Sequence, residues 1–396
     1  YNFLFEACNI IRGPVSQDNF KDYITPLLYY KRISDVYDEE TEEALISSGG
    51  DKEYASLPEQ HRFVIPDGCH WQEVRERTEN LGAAIVGAMR QIEIANPDTL
   101  YGVLSMFSSQ KWTNKAILND SKIRDLIEHL SKRKLGNKDY PADLMGDAYE
   151  ILLKKFADDS KAQAGEFYTP RSVVRLLVHI LDPQPGETVY DPACGSGGML
   201  IEAIRYMHDD SLCCGSIFGQ EKNVVNAAIA KMNLFLHGAS DFNVMQGDTL
   251  RDPKILQGGN IAKFDCVIAN PPFSLENWGA TEWSSDKYKR NIYGTPSDSC
   301  GDYAWIQHMI CSMSSGKGRM AVVMPQGILF RGNQEAEIRK QLVESDLIEA
   351  VVTLGDKLFY GTGLSPCFLI IRRMKPAHHS GRILMIDGSK ILTQKR

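Results

Sequence analysis

From residue 188 to residue 387, short runs of β-branched and aromatic residues alternate with longer segments of helical periodicity. This alternation predicts βαβ units, in which consecutive strands lie parallel in one sheet and helices cover its faces. Ligands of such sheets bind at the carboxyl ends of the strands. The predicted strands are 188–193, 216–221, 242–248, 264–270, 319–325, 348–354, 366–372 and 382–387, and helices are predicted at 197–208 and 223–238.

The first 160 residues have helical patterns and almost no strand signal. In segment 143–159, apolar residues recur at helical spacing on one face while acids and lysines occupy the other, and segment 23–45 is similar. We therefore expect a helical N-terminal domain over 1–160, with a polar connection at 134–143 leading into its last helix. An α/β domain with a Rossmann-like sheet is expected over 161–396.

Charge and composition exclude several classes of protein. The net charge of -7 argues against binding nucleic acid through an overall basic surface. No apolar run approaches the roughly 18–20 residues that span a bilayer. The nine cysteines form no CxxC pair, and the nine histidines show no metal-ligand spacing. We expect a protein of the reducing cytoplasm without a metal site.

A glycine-rich turn follows the first predicted strand in the segment TVYDPACGSGGML. The strand ends at Asp191, and the chain then turns through Gly195, Gly197 and Gly198 into a helix. Missing side chains there allow a ligand to lie against backbone amides, so we interpret the turn as a cofactor loop. It lacks the GxGxxG spacing of dinucleotide dehydrogenases. A βα turn that binds nothing is the alternative.

Carboxylates lie at the ends of three successive predicted strands. Asp191 ends the first, Glu221 the second, and Asp248 follows the third. A carboxylate one βα unit after a glycine loop is where doubly wound folds bind ribose hydroxyls, and a third carboxylate can accept from an exocyclic amine. Each acid alone could be a solvated strand-end residue. Together they predict a pocket for a nucleoside.

The fourth predicted strand ends in the segment DCVIANPPF. Asn270 offers an amide oxygen, and Pro271 leaves its own backbone carbonyl free while fixing the chain direction. Two acceptors that hold both N–H bonds of an exocyclic amine would restore a nucleophilic lone pair on its nitrogen. Phe273 would stack on the ring that bears the amine. A simple proline turn is the alternative.

Upstream of these motifs, the segment GEFYTPR opens a predicted helix. Thr169 is a natural N-cap, and Pro170 suits the first helical position. A well-capped helix without any binding role would explain both residues. Phe167 and Tyr168 precede the predicted helix and therefore do not belong to its buried face. We interpret them as closing over the apolar end of a bound cofactor.

The order of these motifs resembles that of S-adenosylmethionine-dependent amino-methyltransferases. More narrowly, the chain resembles the modification subunit of type I restriction-modification systems, which are DNA adenine N6-methyltransferases. The resemblance extends to the helical N-terminal region and so covers nearly the whole chain. It rests on the segments 165–170, 191–198, 218–223, 247–250 and 270–273, with 10–35 and 143–157 in the N-terminal region.

The resemblance implies S-adenosyl-L-methionine as the cofactor. The segment before the first helix would border its methionine part, the glycine loop would wrap it, and the two following acids would bind its ribose and its adenine amine. In that order, these residues are Glu166, Phe167, Tyr168, Thr169, Pro170 and Arg171; Asp191, Ala193, Cys194, Gly195, Ser196 and Gly197; then Glu221 and Asp248.

The target adenine would be held by Asn270, Pro271, Pro272 and Phe273. It must first leave the duplex stack, and its N6 would then attack the methyl group of the cofactor. Positioning and desolvation are expected to provide most of the catalysis. Two other targets suit the same motif, namely cytosine N4 in DNA and a glutamine amide in a protein. A non-catalytic assembly protein that binds the cofactor is a further alternative.

The resemblance also implies several partners. These are double-stranded DNA, a specificity subunit that chooses the target, a restriction subunit that joins for cleavage, and a second copy of the modification subunit. The acidic charge and the lack of a recognisable DNA-reading module fit target choice by a separate subunit. Since family members extend beyond this chain's last residue, we expect a further C-terminal part that contacts the specificity subunit. A first residue other than Met indicates that the numbering starts inside the natural chain.

A long polar segment, 274–301, separates the Asn-Pro-Pro-Phe motif from the next predicted helix. It contains Lys287, Lys289 and Arg290. Long loops beside a site are often functional, and our hypothesis is that these cations contact DNA phosphates. A solvated loop without such contacts is the alternative.

Overall fold

The structure of the protein is a computed structural model. It describes residues 2–16, 19–100, 102–104, 112–140, 169–207, 215–239, 241–355 and 365–389. The chain divides into two compact units. The first comprises Tyr1–Ala162 and Lys231–Gly238, and the second comprises Gln163–Ala230 and Ala239–Arg396.

The first unit is built of helices, and its described residues contain no β-strand. The N-terminal half of the long helix α2 is buried on all sides, because every residue from 23 to 36 is buried, and Ile24, Leu27 and Leu28 have no exposed surface. The predicted helix over 143–159 lies outside the described residues. The helices that the structure describes in full within residues 1–140 are α1 (Asn2–Ile11), α2 (Lys21–Ser47), α3 (Lys52–Ala55), α4 (Trp71–Arg75), α5 (Leu81–Ala95), α6 (Pro97–Leu100) and α7 (Asp120–Ser131), with a 3-10 turn at Pro58–Gln60.

Buried charged side chains of α2 form hydrogen bonds with the backbone of the polar connection that follows α7. Arg32 donates to the carbonyl oxygens of Leu135 and, at 3.0 Å, of Tyr140. Glu39 accepts from the backbone N–H groups of Asn137 at 2.6 Å and Lys138 at 3.1 Å. Since these backbone groups lack partners in a helix or sheet, side chains of α2 satisfy them instead.

The second unit contains an eight-stranded sheet in the order β10-β8-β9-β7-β6-β1-β2-β3. Every neighbouring pair is parallel except the two pairs that β9 makes with β7 and β8. The strands are β1 (Val189–Asp191), β2 (Ile217–Glu221), β3 (Phe242–Gln246), β6 (Cys266–Ala269), β7 (Arg319–Pro325), β8 (Ile348–Thr353), β9 (Pro366–Arg372) and β10 (Leu384–Asp387). A separate antiparallel pair is formed by β4 (Leu256–Gln257) and β5 (Asn260–Ile261).

Helices connect most of these strands. The helices are α8 (Arg171–Leu181), α9 (Gly198–Met207), α10 (Val224–Leu236), α11 (Ala280–Ser284), α12 (Asp302–Ser312) and α13 (Asn333–Glu344), with 3-10 turns at Gln326–Leu329 and Ala377–His379. Helix α8 shows why this region forms amphipathic helices, because Val174, Leu177 and Leu181 recur at helical spacing and are buried. The fold is therefore α/β with a Rossmann-like, largely parallel sheet, as the sequence predicted.

The strand order reverses between β1 and β6. From β1 the chain builds outward through β2 to β3, and it then returns to place β6 on the other side of β1. Helices cannot close over both sides at such a switch point, so a crevice opens at the carboxyl ends of the two strands. The carboxyl end of β1 is Asp191, and Asn270 directly follows β6.

All eight predicted strands are confirmed, and two of them, β7 and β9, have the predicted bounds. The short β4–β5 pair was not predicted, because two-residue strands carry no periodicity that can be recognised. Within the described part of the chain, no helix combines the length and the apolar character needed to cross a bilayer.

Candidate active site at the carboxyl ends of the central strands

Asp191 ends β1 and is only 2% exposed. Its Oδ1 accepts a hydrogen bond of 2.9 Å from the backbone N–H of Ala193. Burial raises the pKa of Asp191 to about 8, against the lowering effect of the Ala193 hydrogen bond, and the charge of Glu221 adds to the rise. The site thus contains a carboxyl group whose ionisation costs free energy until a ligand compensates for it.

The glycine turn leaves space beside its backbone. Gly195 has a φ of 53°, a left-handed conformation that glycine adopts readily. A Cβ placed on Gly195 or Gly198 would meet no atom within 4 Å, whereas one on Gly197 would contact Ala230 at 3.4 Å. Two of the three glycines therefore face open space at the start of α9, and the third allows close packing against α10.

Glu221 joins the glycine turn to the end of β2. Its Oε2 accepts from the backbone N–H of Gly195 at 2.9 Å, and its Oε1 accepts from that of Asn223 at 2.7 Å. The N–H of Cys194 donates to the carbonyl of Gln220 at 3.1 Å. Glu221 thus lies where the glycine turn meets the end of β2, and its carboxylate is a hydrogen-bond acceptor there.

Asp248 follows β3 and already has partners. Its Oδ2 lies 2.9 Å from Nζ of Lys222, and its Oδ1 accepts from the N–H of Arg251 at 3.3 Å. The Lys222 side chain is 71% exposed, so this ion pair contributes little to stability and the lysine can move away. The neighbouring Thr249 donates to the carbonyl of Pro192 at 2.6 Å, which brings the end of β3 to the turn after β1.

Asn270, at the end of β6, has an acceptor without a donor. Its Nδ2 donates to Oγ1 of Thr169 at 2.8 Å, which directs the other end of the amide away from Thr169. The Oδ1 atom is buried and makes no hydrogen bond. None of the hydrogen bonds among the described residues ends on the carbonyl oxygen of Pro271. Buried orphan acceptors are rare and call for an explanation.

The structure corrects the expected role of Thr169 as an N-cap. Helix α8 begins at Arg171, Pro170 is its cap residue, and no side chain caps it. The Thr169 hydroxyl instead binds Asn270, 101 residues away. Glu166, Phe167 and Tyr168, which the sequence also assigned to this segment, lie outside the described residues.

The remaining predicted residues lie along the same edge of the sheet. Cys194 is buried, and burial raises the pKa of its thiol well above the usual value, so it remains a thiol. Ala193 and Ser196 are half-buried in the glycine turn. Pro272 is exposed and Phe273 half-buried, directly beyond Asn270 and Pro271.

The burial of Arg290 contradicts the expectation that its side chain contacts DNA. It is 1% exposed, forms an ion pair of 2.8 Å with Asp286, and donates to the carbonyls of Thr249 and Leu250 at 2.8 Å each. Its guanidinium also lies 4.4 Å from the ring centroid of Trp283. Arg290 therefore stabilises the segment 274–301 from within, while Lys287 and Lys289 are exposed.

Hydrogen bonds thus bring together Thr169 with Asn270 and Glu221 with Gly195, and a further bond connects the Asp248 region to the turn after Asp191. Sequence reasoning missed Lys222, the ion-pair partner of Asp248. It also missed Asp302, which accepts from the backbone of Ser274 just beyond the Asn-Pro-Pro-Phe motif. Lys222 is adjacent to Glu221, and that adjacency was the only available signal.

Comparison with protein families gives two matches. Residues 140–396 match the family described as N-6 DNA Methylase, and residues 1–130 match the HsdM N-terminal domain. The first match alone spans well over half of the chain.

Individual relatives agree with this. The chain is 34% identical over 381 residues to the type I restriction enzyme MjaVII methylase subunit of Methanocaldococcus jannaschii, covering 91% of this chain and 63% of that protein. It is 33% identical over 300 residues to the HindI methylase subunit of Haemophilus influenzae, covering 75% of this chain and 62% of the relative. The chain therefore spans less than two thirds of the length of these relatives.

A solved structure is similar over the whole chain. It is the type I restriction-modification system methyltransferase subunit from Streptococcus thermophilus, with a TM-score of 0.82 and 26% identity. The alignment covers 100% of this chain and 88% of that one.

Proposed function

This chain belongs to the N-6 DNA methylase family, and we propose that it methylates the exocyclic N6 amine of adenine in DNA with S-adenosyl-L-methionine. The observation that carries the proposal is the buried Oδ1 of Asn270, which has no hydrogen-bond donor. It lies at the end of a central strand, beside the strand that ends in the glycine turn.

The proposed role of Asn270 follows from its hydrogen bond to Thr169. Because Thr169 accepts from Nδ2, the amide presents its oxygen as the available acceptor. One N–H of a flipped adenine amine donates to this oxygen, and the other donates to the carbonyl of Pro271. With both hydrogens held out of the ring plane, the nitrogen lone pair is no longer delocalised into the ring. Phe273 stacks on the base.

The glycine turn and the strand-end acids fit S-adenosyl-L-methionine. The backbone beside Gly195 and Gly198 is open, the carboxylate of Glu221 accepts from the ribose hydroxyls, and Asp248 accepts from the adenine amine when Lys222 moves away. A bound cationic group beside Asp191 would lower the cost of ionising its buried carboxyl group. When bound, S-adenosyl-L-methionine would supply an electrophilic methyl group: N6 would form a bond to the methyl carbon, the carbon–sulfur bond would break with its electron pair retained by sulfur, and N6 would then release a proton to water.

The proposed biological setting is a type I restriction-modification complex. Relatives that are methylase subunits of type I restriction enzymes support this setting. The helical domain 1–160 and the methyltransferase domain 161–396 act with double-stranded DNA, a specificity subunit, a restriction subunit and a second modification subunit. The net charge of -7 favours target choice by the separate specificity subunit.

The experiment uses the chain co-expressed with a cognate specificity subunit in a host without other methyltransferases. Mass spectrometry of digested host DNA should detect N6-methyladenine with the wild type. Asn270→Ala should lower it at least ~100-fold, because the amine loses an acceptor at the transition state. S-adenosyl-L-methionine affinity, measured by calorimetry, should stay within about threefold.

The matched control is Asn291→Ala, which removes a half-buried asparagine of the same unit that donates to the carbonyl of Ser284. It should methylate like the wild type. Methylation of cytosine or of protein by the wild type, or full adenine methylation by Asn270→Ala, would refute the proposal. Cofactor binding without any methylation would instead favour an assembly protein.

A further inference from the structure

Ser274 directly follows Phe273 and has an unusual backbone conformation. Its φ is 50°, in the left-handed region that residues other than glycine rarely adopt. Its N–H donates a hydrogen bond of 2.7 Å to Oδ1 of Asp302. Asp302 is fully buried at the first position of α12. A rigid helix therefore holds the residue that ends the Asn-Pro-Pro-Phe turn.

Arg331 holds Asp302 from the opposite side. Its Nη2 forms an ion pair with Oδ2 of Asp302, and its Nη1 donates to Oγ of Ser274 at 3.4 Å. The carbonyl of Arg331 accepts from Arg339 of α13 at 2.8 Å. Asp302 and Arg331 thus contact both the backbone and the side chain of Ser274, and each is supported by its own helix.

The surrounding residues resemble a metal site but already contain a cation. Ligand atoms of Cys300, Asp302 and Glu335 lie within 4.8 Å of one another and are buried. The guanidinium of Arg331 reaches all three, with Nη1 donating to the Cys300 sulfur at 3.1 Å and Nε lying 2.8 Å from the Glu335 carboxylate. Arg331 supplies the positive charge that a metal would supply, so we interpret the cluster as a clamp on the loop.

Backbone bonds extend this clamp along the loop. The N–H of Gly301 donates to the carbonyl of Leu275 at 3.0 Å, and the N–H of Asn277 donates to the carbonyl of Asp298 at 2.9 Å. The segment after Phe273 is therefore fixed to the residues that lead into α12. Any shift of Asp302 is transmitted to Ser274 and from there to the turn that carries Asn270.

We propose that Asp302 and Arg331 are positioning residues for methyl transfer, which hold the Asn270 and Pro271 acceptors in place through Ser274. This inference rests on the proposed function. Neither side chain needs to touch the base or the cofactor. A displacement of about 1 Å at reacting groups can lower a rate roughly 100-fold, so the loss of either residue reduces turnover while cofactor binding persists.

The test measures methylation kinetics of the full chain with its specificity subunit on unmethylated genomic DNA, using labelled S-adenosyl-L-methionine. Asp302→Ala and Arg331→Met should each lower kcat about 10- to 100-fold, with cofactor affinity within about twofold of the wild type. Asp302→Asn retains an acceptor for the Ser274 N–H and should recover part of kcat. Hydrogen exchange of peptide 271–278 should be faster in Asp302→Ala.

Arg372→Met is the matched control, because it removes another arginine–carboxylate pair of the same unit, the pair with Glu349 of β8. It should leave kcat and the exchange of peptide 271–278 unchanged. If Asp302→Ala does not fold, the Ser274→Val variant tests the proposal instead. A β-branched residue disfavours the left-handed backbone, so Ser274→Val should lower kcat by a similar factor. Ser274→Gly adopts that backbone freely and should retain activity.

Folded Asp302→Ala and Arg331→Met variants with a kcat within twofold of the wild type would overturn the proposal. A parallel loss of kcat and cofactor affinity would also overturn it, because that outcome indicates a general structural role. A wild type that methylates no DNA refutes the proposed function itself, which distinguishes the two failures.

Discussion

Buried polar groups at the two ends of the central strands differ in how many hydrogen-bond partners they have. At the amino end, Glu187 precedes β1 and accepts from Arg319 of β7 at 2.6 and 3.2 Å and from the N–H of Gln184 at 2.9 Å. At the carboxyl end, Asp191 accepts from one described backbone N–H, and Oδ1 of Asn270 accepts from none. Asp191 and Asn270 at the carboxyl end therefore have fewer hydrogen-bond partners than Glu187 has at the amino end.

The pKa values of Glu187 and Asp191 differ accordingly. Burial opposes ionisation of Glu187, but hydrogen bonds from Arg319 and Gln184 lower its pKa to about 2. Burial of Asp191 is not compensated in this way, and its pKa rises to about 8. The Glu187–Arg319 pair at the amino end therefore stabilises the fold, whereas the burial of Asp191 at the carboxyl end reduces its stability, as expected of a residue with the binding role proposed above.

The largest expected effect on stability is at the amino end. Arg319→Met leaves the Glu187 carboxylate buried without its guanidinium partner, and it also removes donors to the carbonyls of Leu181 and Asp182. Breaking a buried pair on one side costs about 3–5 kcal/mol. Urea denaturation should show a loss of that size. The partly exposed pair of Arg372 is the control, and Arg372→Met should cost about 1 kcal/mol or less.

Asp191→Asn is expected to increase the free energy of unfolding, whereas Arg319→Met decreases it. The pKa of Asp191 rises from 3.8 to about 8, so the folded chain holds a proton that the unfolded chain releases in this window. Stability therefore falls as pH rises from about 4 to about 8. Asparagine does not titrate, and the variant should gain about 1–2 kcal/mol at pH 8 and less at pH 6. A variant less stable than the wild type at both pH values would contradict the comparison.

A smaller effect, confined to activity, is expected for Thr169→Val. Valine cannot accept from Nδ2 of Asn270, so the amide loses the bond that orients it. One such hydrogen bond contributes about 1 kcal/mol, and kcat should fall about fivefold. Thr169→Ser keeps the hydroxyl and should restore kcat. Equal rates for the valine and serine variants would show that this bond does not orient the amide.

The smallest effect is expected for Lys222→Met. The ion pair with Asp248 is exposed on the lysine side and contributes roughly 0–1 kcal/mol. Denaturation should show a change below about 0.5 kcal/mol. Cofactor affinity, measured by calorimetry, should change less than about threefold. A stability loss above about 1 kcal/mol would mean that the carboxyl end also contains a stabilising ion pair.

Sequence periodicity was sufficient for the eight strands of the main sheet and for the end of the sheet where the candidate site lies. Asp191, Glu221 and Asn270 could be placed because each ends or directly follows a short apolar run, and parallel strands align their carboxyl ends. Contacts distant in sequence could not be predicted this way. Thr169 pairs with Asn270 over 101 positions, and Arg319 with Glu187 over 132.

The burial of a charged residue, Arg290, was also not predicted from the sequence. Arg290 lies in a polar loop segment, and a charged residue in such a segment is normally exposed. Its burial depends on Asp286, Trp283 and two carbonyls that converge on one guanidinium. That convergence is a property of the folded loop, and local sequence does not record it.

The position of β9 constrains how this protein is made. Strand β9 lies between β7 and β8, which precede it in the chain, and it pairs with both in antiparallel orientation. Until the ribosome has released residues 366–372, β7 has an open edge and β8 has no neighbour. Until then the nascent chain carries unpaired apolar strands, a state in which chaperone binding competes with aggregation.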